Sequence, residues 1–119
     1  MGSYKFCKDK KNGEVVVFTS DKSINYELFE EVSANTVDAA FEKHVPVYEI
    51  DDDFMTVSVG EVNHPMDENH YIMWIAVICG DNLEMVKLKP GEAPKATFKY
   101  VKLAEIYAYC DLHGLWKSE

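Results

Sequence analysis

YIMWIAVIC, residues 71–79, is the longest apolar run in this chain. A strand with one wet face alternates apolar and polar side chains, and this run does not. It therefore reads as a strand covered on both faces, which places it centrally in a sheet. Its nine residues fall far short of the ~20 that a helix needs to cross a bilayer. Working outward, Gly80-Asp81-Asn82 turns the chain and Leu83–Lys89 follows as a strand. Pro90–Pro94 is a loop, Ala96–Val101 a strand, and Leu103–Tyr109 the last strand. On the other side, Phe54–Val59 alternates and Gly60 closes it, and His44–Ile50 alternates as well. Glu14–Thr19 is a short apolar strand after the turn pair Asn12-Gly13. Helix is expected only within Tyr26–Ala40, where Asn35-Thr36-Val37 weakens it.

Short strands separated by regular turn signals predict an all-β fold. The expected architecture is an immunoglobulin-like antiparallel β-sandwich of about seven strands. The immunoglobulin disulfide pattern is absent. Residues 1–33 are more polar and are expected to form an N-terminal extension, with the sandwich in residues 34–119.

The chain has 119 residues, 47% of them hydrophobic, which suits one domain with its own core. Its three cysteines cannot all pair with one another, and Met1–Lys5 leads into a polar stretch rather than an apolar leader. Reduced thiols and a cytoplasmic location are expected. The net charge is −9, with no basic stripe to neutralise phosphates, so nucleic acid is not an expected partner, and with no apolar run of spanning length neither is a membrane. Lys8, Lys10 and Lys11 read as a solvated turn.

The histidines carry the chemistry. His44 begins a strand, His64 and His70 bracket one loop, and His113 follows Cys110 in YCDLHGLW (residues 109–116). All four lie at strand ends or in loops, and the loops of a sandwich cluster at its two ends. A single histidine is ordinarily a surface or hydrogen-bonded core residue. Two in one loop, with a Cys-x-x-His elsewhere, are a set from which a metal site can be built, and spacing alone leaves both readings open. Structural zinc prefers four ligands with closely spaced thiolate pairs, and here only Cys110 has a histidine nearby. Cys79 sits in an apolar strand, where an inert buried thiol is the default. Four imidazoles and one thiolate suit a square pyramid with one axis open, and a redox metal such as iron.

ANTVDAAFEKHVPV (34–47), HPMDENHYIMWI (64–75) and CDLHGLW (110–116) closely resemble the superoxide reductases, the desulfoferrodoxin and neelaredoxin family. The resemblance covers residues 34–119. It implies one mononuclear non-haem iron held by His44, His64, His70, His113 and Cys110, with the thiolate on the axis. It also implies one-electron reduction of superoxide to hydrogen peroxide, and a small electron donor such as rubredoxin. Lys43 and Glu42 match the family's charged pair. Lys43 would attract an anion to an acidic protein, and Glu42 would be the carboxylate that meets the ferric resting state. Without the match, both would read as solvated loop charges. Many desulfoferrodoxins carry a second iron on four N-terminal cysteines. Residues 1–33 contain only Cys7, so that centre is expected to be absent. The segment is then a degenerate desulforedoxin-like remnant or a neelaredoxin-type extension, serving subunit contacts in a homo-oligomer, a dimer or a tetramer. The alternative functions are a non-catalytic metal-binding β-sandwich and an iron electron-transfer protein.

Overall fold

Strands make up nearly all the regular structure in the computed structural model, which describes residues 4–20, 22, 24–36, 41–60 and 65–118; of Phe41 and Glu42 it describes the backbone alone. Three short strands come first: β1 (Lys5–Asp9), β2 (Val15–Phe18) and β3 (Phe29–Glu31). A helical turn α1 (Phe41–His44) leads into β4 (Pro46–Asp51) and β5 (Phe54–Val59). Then come β6 (Ile72–Cys79), β7 (Asn82–Lys87), β8 (Lys95–Lys99), β9 (Glu105–Cys110) and β10 (Gly114–Lys117). They form three antiparallel sheets, ordered β2-β1-β3, β10-β9-β6-β7 and β4-β5-β8. The strands from β4 to β10 make the sandwich, and β6 is internal to its sheet, as its two apolar faces require.

Alternation builds the core. Along β5, Met55, Val57 and Val59 point inward, while Phe54, Thr56 and Ser58 stay in contact with water. The inward set meets Phe98 of β8 and, across the layer, Ile72, Ile75, Val77, Ile106, Ala108 and Cys110. The opposite face of the four-stranded sheet carries Trp74, Ala76, Ile78, Tyr109 and Leu115, and it packs against Phe6 and Val15 of the N-terminal sheet. Phe6 stacks on Trp74 at 5.7 Å and meets Tyr107 at 4.6 Å between ring centroids. A β-bulge lies between Ile72 and Trp74, where the pairing with β9 shifts register. It moves the strand's phase by one residue, so Ile72 and Ile75 share the inner face and Trp74 turns to the outer one.

The structure departs from expectation in several places. His44, expected to begin a strand, ends a helical turn, and Cys79, expected to be buried, is partly exposed. The region before residue 34 contains three strands rather than one. Gly114–Lys117 adds a strand after the one expected to be last. Within Tyr26–Ala40 the described residues contain β3 and no helix, and residues 37–40 lie outside those described. The one α-helical segment among the described residues is α1, four residues long. Among the described residues no helix is long and apolar enough to cross a membrane.

Candidate metal centre

Each side chain of the candidate site is placed by a turn at one end of the sandwich. His44 is the last residue of α1. Pro46 follows two positions later, and a proline disfavours helical backbone in the residue before it, so the helix stops at His44 and β4 begins. The Gly60 N–H donates to the Val45 carbonyl at 3.0 Å, tying the end of β5 to that start. His70 closes a tight turn in which its backbone and that of Asp67 exchange two hydrogen bonds, 2.9 and 3.0 Å long. Cys110 ends β9. The next residue, Asp111, locks that end to the entry of β6. Its carboxylate accepts from the Tyr71 N–H at 3.0 Å, and its own N–H donates to the Tyr71 carbonyl at 3.2 Å. Gly114 pairs with Cys110 across the β9–β10 hairpin at φ 84°, a backbone conformation that favours glycine. His113 is therefore turned back over the cysteine.

The result is convergence. The ligand-capable atoms of His44, His70, Cys110 and His113 all lie within 4.8 Å of one another. His44 Nε2 is 3.0 Å from His113 Nδ1, and Cys110 Sγ is 3.9 Å from that same nitrogen. His113 meets His44 and His70 nearly edge-on, at 84° and 79°. His44 and Cys110 are 3% and 0% exposed, so the cluster sits at the end of the core and not on the open surface. The donor set fits a metal ion. Two ligands on opposite sides of one first-row ion, with bonds of about 2.0–2.3 Å, are separated by roughly 4.4 Å. Imidazole nitrogen with thiolate sulfur is a combination for zinc, copper or iron.

Burial pushes the Cys110 thiol above its ordinary pKa, partly offset by hydrogen bonds from the His113 and Leu112 backbone. A buried thiolate is costly without a nearby positive charge, and a coordinated cation supplies that charge directly.

Of the five expected ligands, four come together here. His64 lies outside the described residues, as does the Glu42 side chain. Lys43 is exposed and adjoins His44. Two residues at the site were not anticipated from sequence. Asp111 makes the backbone lock just described. Trp116 lies against the His44 ring and donates its indole N–H to the His113 carbonyl at 3.0 Å. The only sequence signal for either was proximity to the Cys-x-x-His-Gly motif.

Comparisons with known proteins show the family. The desulfoferrodoxin family model matches residues 36–119. The chain is 46% identical over 100 residues to a desulfoferrodoxin of Clostridium acetobutylicum, covering 84% of this chain and 80% of the relative. It is 34% identical over 98 residues to a superoxide reductase of Thermococcus kodakarensis, covering 66% and 85% respectively. Among solved structures, the superoxide reductase from Treponema pallidum is similar with a TM-score of 0.75 and 31% identity, over 98% of each chain. That match takes in the N-terminal strands.

Proposed function

Because the chain belongs to the desulfoferrodoxin family, we propose that it is a superoxide reductase, with one iron as its resident metal. The observation that carries this reading is the meeting of three imidazoles and one thiol, from three stretches of chain, at one partly buried point. The proposed ligands are His44, His70, His113 and Cys110, with His64 as the fifth. The chemistry that iron supplies when bound there is the exchange of one electron. The overall reaction is superoxide plus one electron plus two protons to one hydrogen peroxide, with no dioxygen released.

The chain's own residues do the rest. The imidazoles are neutral donors, and Cys110 contributes one negative charge to the centre. Superoxide is an anion approaching a chain of net charge −9, so a local cation must reverse the field. Lys43 is exposed and next to His44, which suits it to that task and to holding a proton at Nζ for delivery through water. Glu42 is proposed as the carboxylate that meets the oxidised centre after product leaves. The electron is proposed to come from a small carrier such as rubredoxin, in the cytoplasm. Residues 34–119 are proposed as the iron-binding unit and residues 1–33 as an extension serving subunit contacts in a dimer or tetramer.

The test loads the full chain with iron and records visible absorption before and after oxidation. Superoxide and peroxide are then counted in the presence of a reductant. A reductase turns blue on oxidation and yields one peroxide per superoxide. One peroxide per two superoxides, with dioxygen, would identify a dismutase. No colour despite stoichiometric iron would remove Cys110 from the ligand set and leave a plain metal-binding sandwich.

A further inference from the structure

Trp116 is fully buried on β10, paired in register with Ala108 of β9. Its indole ring lies against the imidazole of His44, with centroids 4.9 Å apart and planes inclined by 22°. Its Nε1–H donates to the His113 carbonyl at 3.0 Å. One rigid side chain thus touches two members of the cluster that are 69 positions apart in the chain.

His44 depends on such a contact. It ends a helical turn of four residues, too short for its own hydrogen bonds to hold it. The outer torsion of a histidine is also broad, so the plane of the imidazole must be set by its neighbours. Stacking on Trp116 sets that plane while Nε2 stays 3.0 Å from His113 Nδ1. The second contact acts on the other ligand. A buried indole needs an acceptor for its N–H. By finding it at the His113 carbonyl, Trp116 anchors the turn that folds His113 back over Cys110.

We propose that Trp116 is a positioning residue of the metal centre: its ring orients His44 and its N–H fixes His113. The inference rests on the metal-centre reading above. A residue that orients ligands without binding the ion changes metal affinity by about 10- to 100-fold when it is lost.

The probe is cobalt(II), whose absorption bands report ligand geometry without redox change. Wild type, Trp116→Phe and Trp116→Leu are compared as full chains. Three quantities are read: affinity by competition with a chelator, the cobalt spectrum, and the thermal midpoint of each metal-free form. Trp116→Leu removes ring and donor, and is expected to bind about 10- to 100-fold more weakly with shifted bands. Trp116→Phe keeps a ring against His44 but loses the donor. It is expected to bind more tightly than Trp116→Leu, with a smaller but measurable band shift. That rescue separates orientation from volume filling, because leucine also fills space.

Wild-type affinity and spectrum in Trp116→Leu would overturn the proposal, as would Trp116→Phe falling as far as Trp116→Leu. Should Trp116→Leu fail to fold, Trp116→Phe decides alone: a shifted cobalt spectrum supports the role, and one identical to wild type ends it. If wild type itself takes up no cobalt, the metal-centre reading fails first and this proposal falls with it.

Discussion

Replacing Phe6 with alanine tests whether the N-terminal sheet is part of the folded core or an appendage to it. Phe6 is 6% exposed, stacked on Trp74 and against Tyr107, both in the sandwich. A buried Phe→Ala change costs about 3–5 kcal/mol, and the lower end suits a side chain lying between two layers. For 119 residues the unfolding entropy is roughly 0.25 kcal/mol per kelvin, so a loss of about 3 kcal/mol lowers the midpoint by about 12 °C. The assay is calorimetry of wild type and Phe6→Ala, both metal-free, because bound metal would add its own stabilisation. One cooperative transition shifted by that amount is the expected result. Two transitions, with the main one unmoved by the substitution, would refute the reasoning. The sheet would then be melting by itself, and the contacts to Trp74 and Tyr107 would contribute nothing to the sandwich.

Three further outcomes are expected. Lys43→Ala should slow capture of superoxide by about tenfold, the low end of electrostatic steering, with metal content unchanged; an unchanged second-order rate would remove the steering role. Cys110→Ser should abolish the visible thiolate charge-transfer absorption of the oxidised iron protein, and a retained band would assign it to another sulfur. Cys7 is fully buried, and its thiol is pushed up first by burial and then by the charge of Glu31, with Lys5 opposing. Above the ordinary thiol pKa of 9.0, the unfolded chain therefore loses this proton before the folded one does, so Cys7 lowers stability as pH rises through that range. Alkylation at pH 8.5 should be slower at Cys7 than at the partly exposed Cys79, and equal rates in native protein would contradict the burial.

How much of this could be read from the sequence depended on how local the cause was. The alternation of Phe54–Val59 depends on one buried face, and the strand occupies those residues. The doubly apolar 71–79 stretch predicted an internal strand because nothing but cover on both sides explains it. By contrast, β1 and β3 have no strong period of their own, and Phe6 is buried by partners far along the chain. The bulge between Ile72 and Trp74 leaves no mark in composition, yet it decides which side of β6 Trp74 faces. At the site, the residue types and the Cys-x-x-His spacing were legible. The approach of His44 to His113 is a matter of topology, since the two are 69 positions apart. Trp116 carries no such signal, because an aromatic residue near the Cys-x-x-His spacing looks like core, and only its two contacts reveal what it touches.

The same double covering of β6 explains why an N-terminal sheet remains in a chain whose first 33 residues offer a single cysteine. A four-thiolate centre would need four. Yet Trp74, Ala76, Ile78, Tyr109 and Leu115 present an apolar face on the side of the sheet away from the sandwich core. Left open, that face would be a contiguous hydrophobic patch of the kind that drives association. Phe6 and Val15 cover it, and the same contact packs the three short N-terminal strands, of three to five residues, onto the sandwich. Packing, not metal, therefore accounts for the sheet. The arrangement also reaches the site. A cleft of about 190 Å³ between the N-terminal sheet and the sandwich is lined by Lys8 and Gly13 on one side and by Asp111, Leu112 and His113 on the other. Tyr109 spans it, donating its hydroxyl to the Gly13 carbonyl at 3.4 Å. One wall of the turn that carries His113 is thus set by the N-terminal hairpin. Tyr109 and the β9–β10 hairpin thus connect that N-terminal hairpin to the turn beside Cys110.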